Sequence, residues 1–321
     1  MNIRFVHLYQ RVAKARDRSH DSRELRAMMP GRLARRRSRR RRALLSVALA
    51  TALIVAGSCQ LHAQQWRSVD VARQQHDTLP VAVKVRFTTG RLALGTVPAP
   101  YLYRMQLRYD AARGEPRTAW DPVSRTATLG VSTGSASWSG GRGREAGTMT
   151  LGLSRTAPID LSIEVGATES TLDFSGLWLN TLSIRSGASE TIVRFSSPNA
   201  HAVDRVDVET GAARFAAQQL ANSGARHVTV RGGLSLVELD LTGTWRRDMT
   251  VDLDLAMGKG ELTVPAAVGV RVTTEGSTMS SPVEGLKKVG NAWESDGFAS
   301  AERKLIVTSR TTIGGLSVRR Q

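Results

Sequence analysis

The chain has 321 residues, room for one or two domains with a substantial core. Aromatics make up only 5% while glycines number 29, a balance that suits a turn-rich β fold and argues against long helices. The formal charge of +17 is concentrated: residues 1–63 hold 15 Lys/Arg against Asp17, Asp21 and Glu24, and the remainder carries +5, so the body does not present the basic footprint of a nucleic-acid binder.

The amino-terminal segment carries an address. Arg35-Arg36-Arg37-Ser38-Arg39-Arg40-Arg41-Arg42 runs straight into an apolar stretch, Ala43 to Gly57, and then into Leu61-His62-Ala63. A charged region, an apolar region and a small-residue site in that order make a secretory signal, helical or disordered and outside the fold. The apolar run is shorter than the roughly 20 residues of a membrane-spanning helix. Cleavage after Ala63 is the expected processing. Two alternatives are lipidation at Cys59, within Ala56-Gly57-Ser58-Cys59, and retention as an uncleaved anchor. Membrane contact is expected only through this segment or a lipid on Cys59. Met28 or Met29 offers an alternative start, which would leave residues 1–27 untranslated. Cys59 is the single cysteine, so no disulfide framework is possible within the chain.

Beyond a polar connector, Trp66 to Asp77, a β-rich portion is expected over residues 64–150. Val81, Val83, Val85 and Phe87 alternate with polar residues as in a half-buried strand. Thr89-Gly90 turns the chain into a second strand, Arg91 to Gly95. Tyr101 to Tyr109 alternates again, with Tyr101, Tyr103 and Tyr109 on a face that is either core or a stacking platform for sugars or bases. Residues 110–128 read as turns around short strands. Ser132 to Gly147 reads as a flexible loop or linker; its Gly-x-Gly pieces lack the Lys-Ser/Thr and the helix that a phosphate loop needs.

Residues 151–321 repeat. Leu172-Asp173-Phe174-Ser175-Gly176-Leu177-Trp178 returns as Leu239-Asp240-Leu241-Thr242-Gly243-Thr244-Trp245, and between the copies Gly166, Gly187, Gly211 and Gly233 mark a shorter beat of 20–24 residues. A fixed period of this size belongs to units that bury their apolar faces on one another. Each unit reads as a short strand, a glycine corner chosen for positive φ, a second short strand and a polar bend. Ala212 to Ala221 reads as strand and bend, although its propensity also allows a short helix. The expected fold is all-β, a parallel β-solenoid-like stack of short strands preceded by the β-rich portion. Leu305-Ile306-Val307 and Leu316-Ser317-Val318 read as the last strands, with Arg319-Arg320 protecting an open edge.

No catalytic constellation emerges. Asp173 and Asp240 are the best candidates for paired carboxylates, but three rungs would set them about 14 Å apart, and carboxylates beside Gly176 and Gly243 suit turn amides better. Trp178 and Trp245 read as packing residues rather than ligand platforms. His7, His20, His62, His76, His201 and His227 never fall at metal-ligand spacing, and Met257-Gly258-Lys259-Gly260 has no phosphate-loop context. No catalytic, cofactor or metal residue is expected.

Trp66-Arg67, Leu102-Tyr103-Arg104-Met105, the run 172–178, Ser186-Gly187-Ala188-Ser189, the run 239–245, Met257 to Pro265 and Val268-Gly269-Val270-Arg271-Val272 resemble the toast-rack or LiaF-like family of bacterial envelope proteins. The resemblance covers roughly residues 66–318. It implies a β-solenoid with no catalytic residues, and for LiaF-type members a link to cell-wall stress; related domains are labelled adhesins. Unlike LiaF-type proteins, this chain has one export segment and no multi-helix membrane region. The expected role is an exported, non-enzymatic scaffold in the periplasm or at the cell surface, meeting an unidentified envelope protein or glycan. An adhesin-like surface protein is the alternative, and a β-helix polysaccharide enzyme would need acids clustered on one face.

Overall fold

Apolar residues at every second position build the molecule. A computed structural model describes residues 64–133, 146–276 and 285–321. Its central elements are long strands: β2 (Val81–Thr96), β7 (Ile159–Asp173), β10 (Arg205–Gln218), β11 (His227–Asp240), β12 (Met249–Val264) and β16 (Lys304–Arg320). Each runs through a corner and contributes one half to each of two walls. At the corner one residue is skipped in both partners: Phe87 pairs Val165 and Thr89 pairs Ala167, while Thr210 pairs Gly232 and Ala212 pairs Leu234. One rung is split there into β8 (Leu179–Ser186) and β9 (Glu190–Arg194).

Within both walls these strands are parallel and in register. Register stacks like on like. Val83, Leu161, Leu182, Val206, Val228, Val251 and Val307 form one inward column of the first wall, and all are buried. Leu94, Leu172, Val193, Ala217, Leu239, Leu262 and Val318 form another in the second wall. Each such aliphatic contributes about 1.5–3 kcal/mol when fully buried, so the columns are the principal source of stability.

The ends differ from the middle. At one end β5 (Thr126–Thr133) lies parallel to β2 in the first wall, with β4 (Gly114–Asp121) antiparallel outside it. In the second wall β6 (Thr148–Leu153) is followed by two antiparallel strands, β3 (Tyr101–Asp110) and β1 (Trp66–Gln74). At the other end β13 (Gly269–Glu275) pairs β16, and β15 (Ala292–Ser295) with β14 (Leu286–Val289) closes the first wall as an antiparallel hairpin. The all-β solenoid expected from the repeats is the observed architecture. Residue 150 lies inside β6, and the sheet runs on across it, because β2 pairs both β6 and β7.

Several expectations are corrected. Trp66–Gln74 is a strand rather than a connector: it lies at a sheet edge, so only Val69 and Val71 pack inward while the rest of its surface is polar. Except at Gly187, where β8 and β9 remain separate, the short strands on either side of each glycine are single long strands, since pairing resumes directly after the corner. The corner glycines Gly166, Gly187, Gly211 and Gly233 are not selected for positive φ. Space selects them to different degrees: a Cβ on Gly166 would lie 2.3 Å from the carbonyl oxygen of Thr88, on Gly211 2.9 Å from that of Gly187, and on Gly187 3.2 Å from that of Gly166. Positive φ is instead required at Gly258 (φ 145°) and Gly314 (φ 137°), two residues past the corner of their rungs. Leu305 to Val307 are not edge residues, for β16 lies between β12 and β13 in the first wall. Arg320 turns inward and donates to the carbonyls of Ala266 and Val268, and burial lowers its pKa. Ala212 to Gln218 belong to β10, followed by a 3-10 turn at Leu220–Ser223.

Candidate functional site

The two copies of the long repeat fall in the turns that return the chain from the second wall to the first. Asp173 Oδ1 accepts the Ser175 amide at 3.0 Å and also the Ser175 hydroxyl. Gly176 follows at φ 71°. In the second copy Asp240 accepts the Thr242 amide at 2.9 Å through Oδ1 and the Gln219 amide at 3.2 Å through Oδ2, with Gly243 at φ 112°. Both carboxylates are spent on turn amides. The second wall places β7, β9, β10 and β11 in succession, so the two aspartates lie about 14 Å apart, beyond the roughly 5–10 Å of glycosidase pairs. Trp178 stacks on His201 with ring centroids 3.7 Å apart, and Trp245 donates its indole N–H to the Leu241 carbonyl at 2.9 Å.

The residue that ties these turns together carries no sequence motif. Asn222 is buried; its amide donates to the Phe195 carbonyl at 2.6 Å and its oxygen accepts the Thr244 amide at 2.8 Å. One side chain thereby satisfies backbone groups of the turns before and after its own. Only the stacking of turns, which the sequence does not display, would have singled it out.

Tyr103 and Tyr109 are buried in the core, which removes them from any stacking platform, and burial raises the Tyr103 pKa. Near the N-terminal cap three exposed carboxylates are held below their ordinary value. Asp70 is held by Arg104 and then Gln106, Asp77 by the Leu79 amide and then Arg125, and Asp121 by the Ser124 hydroxyl and then the Val123 amide. Among the described residues no group of three or more His, Cys, Asp or Glu is placed to hold a metal, and no helix is long and apolar enough to cross a membrane. Ala63, Cys59 and the export segment lie outside the described residues.

The concave features lie on the outside. A void of about 10 Å³ between the walls, lined by residues such as Leu182, Val206, Phe215 and Leu239, is too small for a ligand. An open groove of about 660 Å³ follows the corner past Gly187, Gly211 and Gly233. A second, of about 550 Å³, crosses the end of the second wall beside Glu238, Asp240, Glu261 and Arg319.

One flank of the corner groove is a ladder of charge. In register across successive strands of the first wall stand Arg86, Glu164, Arg185, Glu209, Arg231, Asp254, Arg310 and Glu275. The signs alternate without a break. Arg86 meets Glu164 at 2.8 Å, Arg185 meets Glu209 at 3.0 Å, Arg231 meets Glu209 at 3.9 Å and Arg310 meets Glu275 at 2.7 Å. The Glu275 carboxylate raises the Arg310 pKa. Because these pairs are exposed, each adds little to stability.

This architecture can be placed among known proteins. Residues 62–218 match the N-terminal domain of toast_rack, DUF2154. That stretch is a toast-rack domain. It takes in the N-terminal cap and the rungs from β2 to β10, and β11, β12 and β16 continue the same stacking beyond the match. Similar solved structures include a "putative cell adhesion protein" from Clostridium sporogenes, at 14% identity and a TM-score of 0.48, covering 80% of this chain and all of that one. Another is a "putative adhesin" from Bacteroides fragilis, at 10% identity and a TM-score of 0.40, covering 80% of this chain and 97% of that one. No curated protein matches this chain.

Proposed function

We propose that this protein is an exported, non-enzymatic scaffold of the cell envelope that binds an envelope protein or a glycan through the outer faces of its stack, in connection with envelope stress. The observation that carries this reading is the filled interior. Inward columns occupy the space between the walls, so recognition is left to outward polar side chains and to the two external grooves. The toast-rack match supports the envelope assignment. The arginine run and the apolar run before Ala63 support export.

The test is fractionation of cells carrying photo-crosslinking residues at Glu238 and Glu261, beside the second groove. The expected result is envelope-associated protein, processed after Ala63 or lipidated at Cys59, with an adduct to an envelope component. Cytosolic, unprocessed protein would refute export. Turnover of a polysaccharide by the purified protein would refute the non-enzymatic assignment.

A further inference from the structure

The two flanks of the corner groove share a property that a single copy does not need. On the first flank the charge ladder starts with a cation at Arg86 and ends with an anion at Glu275, eight positions in all. An alternating ladder of even length is complementary to itself when reversed. On the second flank, three residues further along each rung, the order is small to large. Ala167, Ala188 and Ala212 precede Leu234, Met257 and Ile313. The last three are register partners and are 58%, 44% and 58% exposed. Single exposed aliphatics are ordinary on a soluble surface, but three side by side form a contiguous apolar stripe.

We propose that this corner is an interface between two copies of the chain, paired about a twofold axis perpendicular to the stacking direction. That operation lays each flank on its own counterpart with the strand order reversed, as an isologous contact requires. With the axis between β10 and β11, Arg86 faces Glu275 of the second copy, Glu164 faces Arg310, Arg185 faces Asp254 and Glu209 faces Arg231. Every opposed pair has opposite sign. The same axis, with no further adjustment, sets Leu234 against Ala212, Met257 against Ala188 and Ile313 against Ala167. Large side chains meet small ones over the glycine corner. A parallel arrangement would oppose like charges along the whole ladder and is excluded on that ground. Eight strands span about 34 Å, so the roughly 800 Å² per partner of a stable interface needs a contact about 24 Å wide. Neither flank alone supplies that width, so the contact has to use both.

The proposal stands apart from the identity of any envelope partner. It is tested by sedimentation equilibrium of the full-length protein, alone and as variants, with thermal melts confirming that each variant folds. Wild type is expected to be dimeric and to dissociate as salt rises, because exposed charges are screened. Glu209→Arg and Arg231→Glu each place like charges opposite one another twice and should raise the dissociation constant at least about tenfold. Mixed in equal amounts, the two variants oppose cations to anions and should form a dimer again. Met257→Glu, outside the ladder, should also give monomers. A monomeric wild type, variants that remain dimeric alone, or a mixture that stays monomeric would each overturn the proposal. Association through the apolar segment before Ala63 would persist in every variant and would count against it.

Discussion

The middle of the stack and its ends are held by different means. In the middle, parallel strands share geometry. Each rung lies directly on the one before, and turns and corners leave room only for the neighbouring backbone. At the ends the outermost strands are antiparallel, β4 with β5 and β14 with β15 as local hairpins, and side-chain chemistry does more: Arg104 and Gln106 on Asp70, Arg125 on Asp77, Lys287 on Asp296. From β7 to β12 each parallel rung is delivered by a chain that travels 21 to 24 residues around both walls, as from Glu164 to Arg185 and from Arg185 to Glu209. A cap can fold on itself. The difference teaches that errors in the middle propagate through the register, whereas errors at the ends stay local.

Substitutions can break or sharpen that contrast. The largest effect is expected at Gly314→Ala. A Cβ there would lie 1.7 Å from the Gly258 carbonyl oxygen, in a backbone conformation that L residues avoid, so urea unfolding should show a loss of about 3 kcal/mol or more. Gly187→Ala, whose Cβ would meet the Gly166 oxygen at 3.2 Å without positive φ, is the control and should cost less than about 1 kcal/mol. A similar cost at both positions would mean that the corners do not differ as described. Next comes Asn222→Ala, which strands the buried Phe195 carbonyl, takes the acceptor from the Thr244 amide and should cost about 2 kcal/mol by the same measurement.

Smaller effects belong to the caps. Asp77 has a folded pKa below its ordinary 3.8, first because it accepts the Leu79 amide and then through Arg125. Its contribution is therefore complete above the unfolded value and is lost as pH falls through the folded one. Unfolding midpoints measured from pH 6 to pH 2 should drop on the acid side, and Asp77→Asn should flatten part of that drop. Smallest for stability is Lys288→Val on the edge strand β14, expected to change it by no more than about 0.5 kcal/mol. Light scattering should nevertheless rise on storage, because the charge that keeps the edge unpaired is gone.

Much of this architecture was legible from residue patterns, and what was not has definite causes. Alternation revealed most strands and glycine spacing revealed the rungs, since both are local and periodic. The aspartates of the long repeat were legible because Asp-x-Ser/Thr-Gly is turn chemistry wherever it occurs. β1 was missed because an edge strand shows solvent most of its surface and loses the alternating signature. The reason for the corner glycines was missed because φ belongs to one residue, while crowding by the carbonyl of another rung does not. Asn222 and the charge ladder were invisible for a related reason. Glu164, Arg185, Glu209 and Arg231 are scattered single charges in one dimension and become a row only when register is known.

The position of β16 between β12 and β13 has a consequence for assembly. A polypeptide delivered from its N-terminus presents β12 and β13 with a vacancy between them, and neither can complete its hydrogen bonds until β16 arrives to fill it. The hairpin of β14 and β15 hangs on β13, so that end of the first wall waits as well. Such a chain leaves that end open through most of its synthesis and closes it in one late step.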